Sequence, residues 1–189
     1  MKHINESGRS MVEILGVLAI IGVLSVGGIA GYSMAMSKFK ITKTLDQVQT
    51  LVTNLRALYA SQRTYTQLTP KKAYEMSLLT DETFDKNTSK GVNPYGGEIK
   101  FDATGGRTFS IEYTGLTAEA CLKLSTADWG ADASSGLVSI GVGGYRNTVS
   151  KTFTWSIAPK LPVELTEAAE ACKGETATDN TGVVKWTFR

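Results

Sequence analysis

The stretch SGRSMVEILGVLAIIGVLSVGGIAGYSMAMS, Ser7 to Ser37, sets one carboxylate, Glu13, at the mouth of a long apolar run. From Ile14 to Ser37 there is no charge at all. The run matches the roughly 20 residues that a helix needs to cross a bilayer. A secretory signal has a shorter apolar core followed by a small-residue cleavage site, whereas this run continues straight into a helical pattern. A carboxylate in oily surroundings is costly unless it is paired. Glu13, and the Gly8–Arg9 pair just upstream, therefore need a reason.

Past the run, Leu45, Val48, Val52, Leu55 and Tyr59 recur in steps of 3 and 4, the spacing of an amphipathic helix. No proline occurs before Pro70, so nothing forces a break. The spacing predicts one helix from Ser10 to about Gln62, roughly 80 Å long. A bilayer takes only the first ~30 Å of it. The later half is expected to lay its apolar stripe on the domain that follows. Gly16, Gly22, Gly27, Gly28 and Gly31 lie inside the apolar half, each costing up to about 1 kcal/mol against alanine in water. Gly27 and Gly31 form a small-xxx-small face for close approach of another helix, and Gly27–Gly28 is a candidate hinge. The plain alternative is that glycine is common in membrane helices.

The rest reads as a soluble α+β domain. Lys71 to Asp85 is expected as a loop with a helical turn. NPYGGEIKFDATGGRTFSIEYTG alternates as a hairpin around Gly105–Gly106. LTAEACLKL and LTEAAEACKG predict short helices with Thr117 and Thr166 as N-caps and Gly174 past the end of the second. Leu137–Val142, Thr148–Ile157 and the closing GVVKWTFR are strand candidates. Together these predict an antiparallel sheet of four or five strands with the helix packed on one face. Cys121 and Cys172 are the two cysteines. An even count in a non-cytoplasmic domain predicts one disulfide. Orientation is contested by charge. Lys2, His3 and Arg9, offset by Glu6, precede the run, and Lys38, Lys40 and Lys43 follow it. The positive-inside rule then favours the side opposite to the one the cysteines require.

Composition excludes much else. Twenty basic and 18 acidic residues leave a net charge of +2, with no Lys/Arg cluster for nucleic acid. The single histidine is His3, so the soluble part holds no Ser/His or Cys/His catalytic arrangement and no zinc set. No cofactor is expected and no enzyme is visible. TATDNTG, Thr176 to Gly182, reads better as a surface loop than as a calcium loop. Trp129, Trp155 and Trp186 are expected in the core or at subunit contacts.

Gly8 followed by RSMVEILGVLAIIGVLSVGGIAGY resembles the N-terminus of type IV pilins and their pseudopilin relatives. The resemblance implies a prepilin peptidase cut after Gly8, a methylated amine on Arg9, and Glu13 as the fifth mature residue. It is similar to the type IVb branch on three features: a first residue other than phenylalanine, a mature chain of 181 residues, and a wide cysteine-bounded loop. Ala30 stands where many pilins have a helix-bending proline, which leaves bending to Gly27–Gly28. The implied layout is a leader over 1–8, a membrane and filament-core helix over 9–37, its amphipathic continuation over 38–62, and a pilin domain over 63–189. The implied function is a structural subunit of a surface filament for adhesion, aggregation or conjugation. It would self-associate through Glu13, Arg9, Gly22, Gly27 and Gly31, with the inner membrane, the peptidase and the assembly machinery as partners. A minor pilin, a type II secretion pseudopilin and a tethered, non-assembling binding domain are the alternatives. An Arg9–Glu13 pair within one helix is the local alternative for the carboxylate.

Overall fold

The computed structural model describes residues 7–62, 64–103, 106–130, 135–173 and 181–189, with side-chain burial from Met11 onward. Gly105, Gly174 and most of TATDNTG lie outside the described residues. Helix α1 spans Ser7–Tyr59, close to the expected bounds. It is helical through Gly27–Gly28, so the expected hinge does not appear there. The chain divides into two compact units, Met1–Phe39 and Lys40–Arg189.

In the second unit α1 buries Thr44, Val48, Leu51, Val52 and Leu55, the stripe its period requires. Thr44 tolerates burial because its hydroxyl donates to the Lys40 carbonyl at 2.8 Å. Helix α2 (Pro70–Glu75) starts with a proline at N1/N2 and a Thr69 cap. It is the helical turn expected in the loop. Helix α3 (Ala118–Ser125) is capped by Thr117 as expected, the hydroxyl accepting from the Ala120 N–H at 3.1 Å. Helix α4 (Leu165–Ala171) begins earlier than expected: its N-cap is Glu164, not Thr166. The reason is the first helical bond, from the Ala168 N–H to the Glu164 carbonyl at 2.9 Å.

The sheet has seven strands, not four or five, in the order β1-β2-β3-β4-β7-β5-β6 with every neighbour antiparallel. The additions are β1 (Phe84–Asp85), at the sheet edge, and β2 (Lys90–Val92) beside it, both too short to show alternation. The predicted hairpin is β3 (Glu98–Asp102) and β4 (Phe109–Leu116). Strand β5 is Leu137–Gly143, and β6, Lys151–Thr154, is shorter than its sequence candidate. The last strand, β7 (Gly182–Phe188), lies mid-sheet between β4 and β5. Its Val184 and Trp186 pair with Tyr113 and Ile111, and all four are buried. The opposite face is polar, with ion pairs Lys100–Glu112 at 3.0 Å and Lys185–Asp102 at 3.4 Å.

Beside β6 the chain returns so that the Thr154 N–H donates to Pro159 O and its carbonyl accepts from the Leu161 N–H. That cover removes an edge to which another strand would add. Between β2 and β3 the backbone passes so close to β4 that a Cβ on Gly97 would collide with the Thr114 carbonyl. Asn93 locks this turn, donating to Thr114 O at 2.7 Å and accepting from the Gly97 N–H at 3.1 Å.

Candidate functional site

The described part of the first unit is one helical segment. The span that is long and apolar enough to cross a membrane has none of its most apolar window buried. Between Met11 and Phe39 the exposed large hydrophobic side chains range from Ile21, 52% exposed, to Val23, 75% exposed. A contiguous apolar surface of this kind marks contact with lipid or with another protein. Two of the hydroxyls within it are satisfied by the helix backbone. Ser25 donates to the Ile21 carbonyl at 2.7 Å and Ser33 to the Ala30 carbonyl at 2.9 Å.

Glu13 is exposed on this helix. At about 100° per residue, Arg9, Glu13, Gly16, Gly27 and Gly31 fall within a sector of about 60°. Gly22 falls on a different side, so the expected assembly set does not share one face. Gly16 does share it, and the periodicity already carried that signal. A Cβ added at Gly16, Gly22, Gly27, Gly28 or Gly31 meets nothing within 4 Å. Nothing inside the subunit therefore demands these glycines.

In the second unit the disulfide joins α3 to α4 through Cys121 and Cys172, with Cα atoms 5.8 Å apart and both residues buried. Trp186 is in the core; Trp129 and Trp155 pack against it and donate their ring N–H groups to Leu124 O and Leu137 O, each at 2.8 Å. Tyr74, Asp81 and Lys86 form a knot on the surface. The Tyr74 hydroxyl donates to Asp81 at 2.6 Å and Lys86 pairs with Asp81 at 2.9 Å. Tyr74 first, then Lys86, holds the Asp81 carboxyl below its usual range. The Lys86 ammonium is pushed up to about 12, chiefly by its bond to Asp81. This knot ties α2 to the two ends of β1. Among the described residues there is no His/Cys/Asp/Glu cluster suited to a metal.

The architecture is that of the type IVb pilins. A type IVb pilin from Salmonella typhi superposes with a TM-score of 0.53 at 20% identity, over 75% of this chain and 95% of that one. TcpA, a type IV pilin from Vibrio cholerae El Tor, gives 0.50 at 13% identity, over 79% and 99%. The Bundlin family model matches residues 34–189, and the chain belongs to that family. It is similar to the major structural subunit of the bundle-forming pilus of Escherichia coli O127:H6 (strain E2348/69 / EPEC), 27% identical over 185 residues, covering 96% of this chain and 93% of the relative. The corresponding subunit from Escherichia coli O111:H- is 26% identical over 188 residues, with the same coverage of both chains.

Proposed function

We propose that the chain is the structural subunit of a type IVb pilus. A prepilin peptidase removes residues 1–8 after Gly8, and residues 9–37 hold the subunit in the inner membrane. The same helix then packs into the core of an extracellular homopolymer. Residues 38–62 continue the helix, and residues 63–189 form the outer domain that serves adhesion, aggregation or conjugation. The observation that carries this reading is the helix that its own subunit leaves uncovered. Lipid covers it before assembly and sister helices afterwards. Small residues on its faces permit close approach where lipid and helix contacts compete on nearly equal terms. The family and its relatives support a structural role. The disulfide supports an outward-facing domain against the positive-inside count.

Glu13 sets the register. An unpaired carboxylate inside an apolar bundle costs several kcal/mol. Only a neighbour at one axial offset brings the amine of its Arg9 to that carboxylate. At about 1.4 kcal/mol per factor of ten, misplaced subunits are excluded at least a hundredfold. Mass spectrometry of the mature protein is expected to find an N-terminus at methylated Arg9; an intact Met1 removes the processing step. Glu13→Ala should leave a folded, membrane-held subunit and reduce filaments more than about tenfold. Normal filaments from that variant would overturn the register.

A further inference from the structure

Where α1 ends, the segment after it, the β3–β4 turn and the end of β7 enclose an open depression of about 720 Å³. Three of the four described arginines in the second unit, Arg56, Arg107 and Arg189, line it, with Tyr59 and Tyr65 between them. Among the described residues no lysine and no carboxylate side chain does. That segregation is informative, because a guanidinium binds carboxylates through a rigid two-pronged fork and a lysine does not. The depression is also held in place. Arg56 lies over the Phe188 ring at 5.2 Å and donates to Ser135 O at 3.0 Å. Tyr65 N–H donates to Gly106 O at 3.0 Å, and the Tyr59 and Tyr65 rings sit 5.1 Å apart. Arg107 is exposed and has no partner among the described residues.

A complementary patch lies on other elements. Helices α2 and α3 are capped by threonine side chains. Helix α4 instead begins at Glu164, whose side chain makes no capping bond. The Glu164 side chain is exposed with no partner among the described residues, and next to it Leu165 is 62% exposed. Glu167 and Glu170 share Lys151, at 3.9 and 3.1 Å. The helix thus carries three carboxylates against that lysine, with Lys173 beyond its end. Glu164 and Leu165 together present an exposed carboxylate beside an exposed apolar side chain. This pair is a good contact for a basic, tyrosine-lined depression.

We propose that in the filament the arginine depression of one copy receives Glu164 and the start of α4 from the next copy. This rests on the pilus-subunit reading and adds a contact between outer domains to the helix core. The two patches belong to different elements, so a head-to-tail contact between them can repeat from copy to copy along an open filament.

The test is a charge swap in the full chain, scored as sheared filament yield from cells. Arg107→Glu and Glu164→Arg should each lower the yield at least about fivefold, because each sets like charges together. The two combined should restore it to within about twofold, because the pair is re-formed with its polarity reversed. Both positions are exposed, and unchanged melting of the variants excludes misfolding as the cause. Normal filaments from either single variant, or a double variant no better than the worse single one, would overturn the contact. No filaments from the unaltered chain would overturn the pilus reading along with it.

Discussion

Helix α1 is one element with two kinds of surface. Up to Phe39 it is apolar around most of its circumference and leaves that surface exposed. Beyond Lys40 it buries Val48, Leu51 and Leu55 and turns Asp46, Gln49 and Thr53 to solvent. The more apolar half thus adds nothing to the subunit's own core. Its hydrophobicity is directed at other molecules, whereas the less apolar half is directed at the sheet. The charges that begin the second half belong to the folded domain. Lys40 sits over the Tyr95 ring at 5.6 Å and Lys43 pairs with Glu82 at 3.3 Å.

Four tests would break or sharpen that contrast. The largest effect belongs to the disulfide. Cys121 and Cys172 are 51 residues apart, and replacing both with serine should destabilise the second unit by about 4 kcal/mol in the chain-entropy description. Urea unfolding measures that loss, while membrane fractionation should show the first unit inserting as before. Next comes a matched truncation. Leu55→Ala removes a fully buried side chain and should cost 2–5 kcal/mol, roughly the range for such cavities. Leu24→Ala alters a side chain that is 68% exposed, and should leave the unfolding midpoint unmoved while reducing filament yield. Equal destabilisation by both would show that the apolar half does support the subunit.

The contrast was largely legible in the sequence, because the two halves differ in period. An uncharged run needs no partner pattern to be recognised, and the 3-and-4 spacing of Val48, Val52 and Leu55 named the buried stripe. The β3–β4 hairpin, the Thr117 cap and the closing strand were legible for the same local reasons. The misses were not local. Strands β1 and β2 are two and three residues long, and only pairing with each other and, for β2, with β3 makes them strands. The place of β7 in mid-sheet is decided by long-range register, which no window shows. Helix α4 starts at Glu164 against its capping preference, so the better cap at Thr166 misled the reading. The arginine depression joins residues as far apart as Arg56 and Arg189 and has no sequence signature.

A second pair compares two glycines. Gly97→Ala drives a methyl group into the Thr114 backbone and should destabilise the domain by roughly 1–3 kcal/mol, read as a lower unfolding midpoint. Gly27→Ala meets nothing in the subunit and should strengthen the isolated helix by up to about 1 kcal/mol. Filament yield should nevertheless fall, because the methyl group occupies the face offered to a neighbour. If yield rises instead, glycine at that position is only a membrane-helix habit.

The smallest expected effect is a pH dependence confined to the second unit. Asp81 is lowered by the Tyr74 hydroxyl and then Lys86, Asp85 by the Thr88 hydroxyl and the Asn87 N–H, and Glu170 by Lys151. A carboxyl held lower in the folded state than in the unfolded chain stabilises above the unfolded value, near ~4. That stability is lost as pH falls through the folded value. All three groups are open to solvent, so screening keeps each contribution small. The unfolding midpoint should therefore be flat near neutrality and decline only below about pH 4. At the alkaline end, Tyr95 is pushed up to about 12 by burial and then by Glu119. Its preference for the neutral form is lost as pH rises from about 10 towards that value. Tyr74→Phe removes the first cause of the Asp81 shift, and should shrink the acid decline. An acid decline unchanged in the combined Asp81→Asn, Asp85→Asn and Glu170→Gln variant would place its origin in other carboxylates.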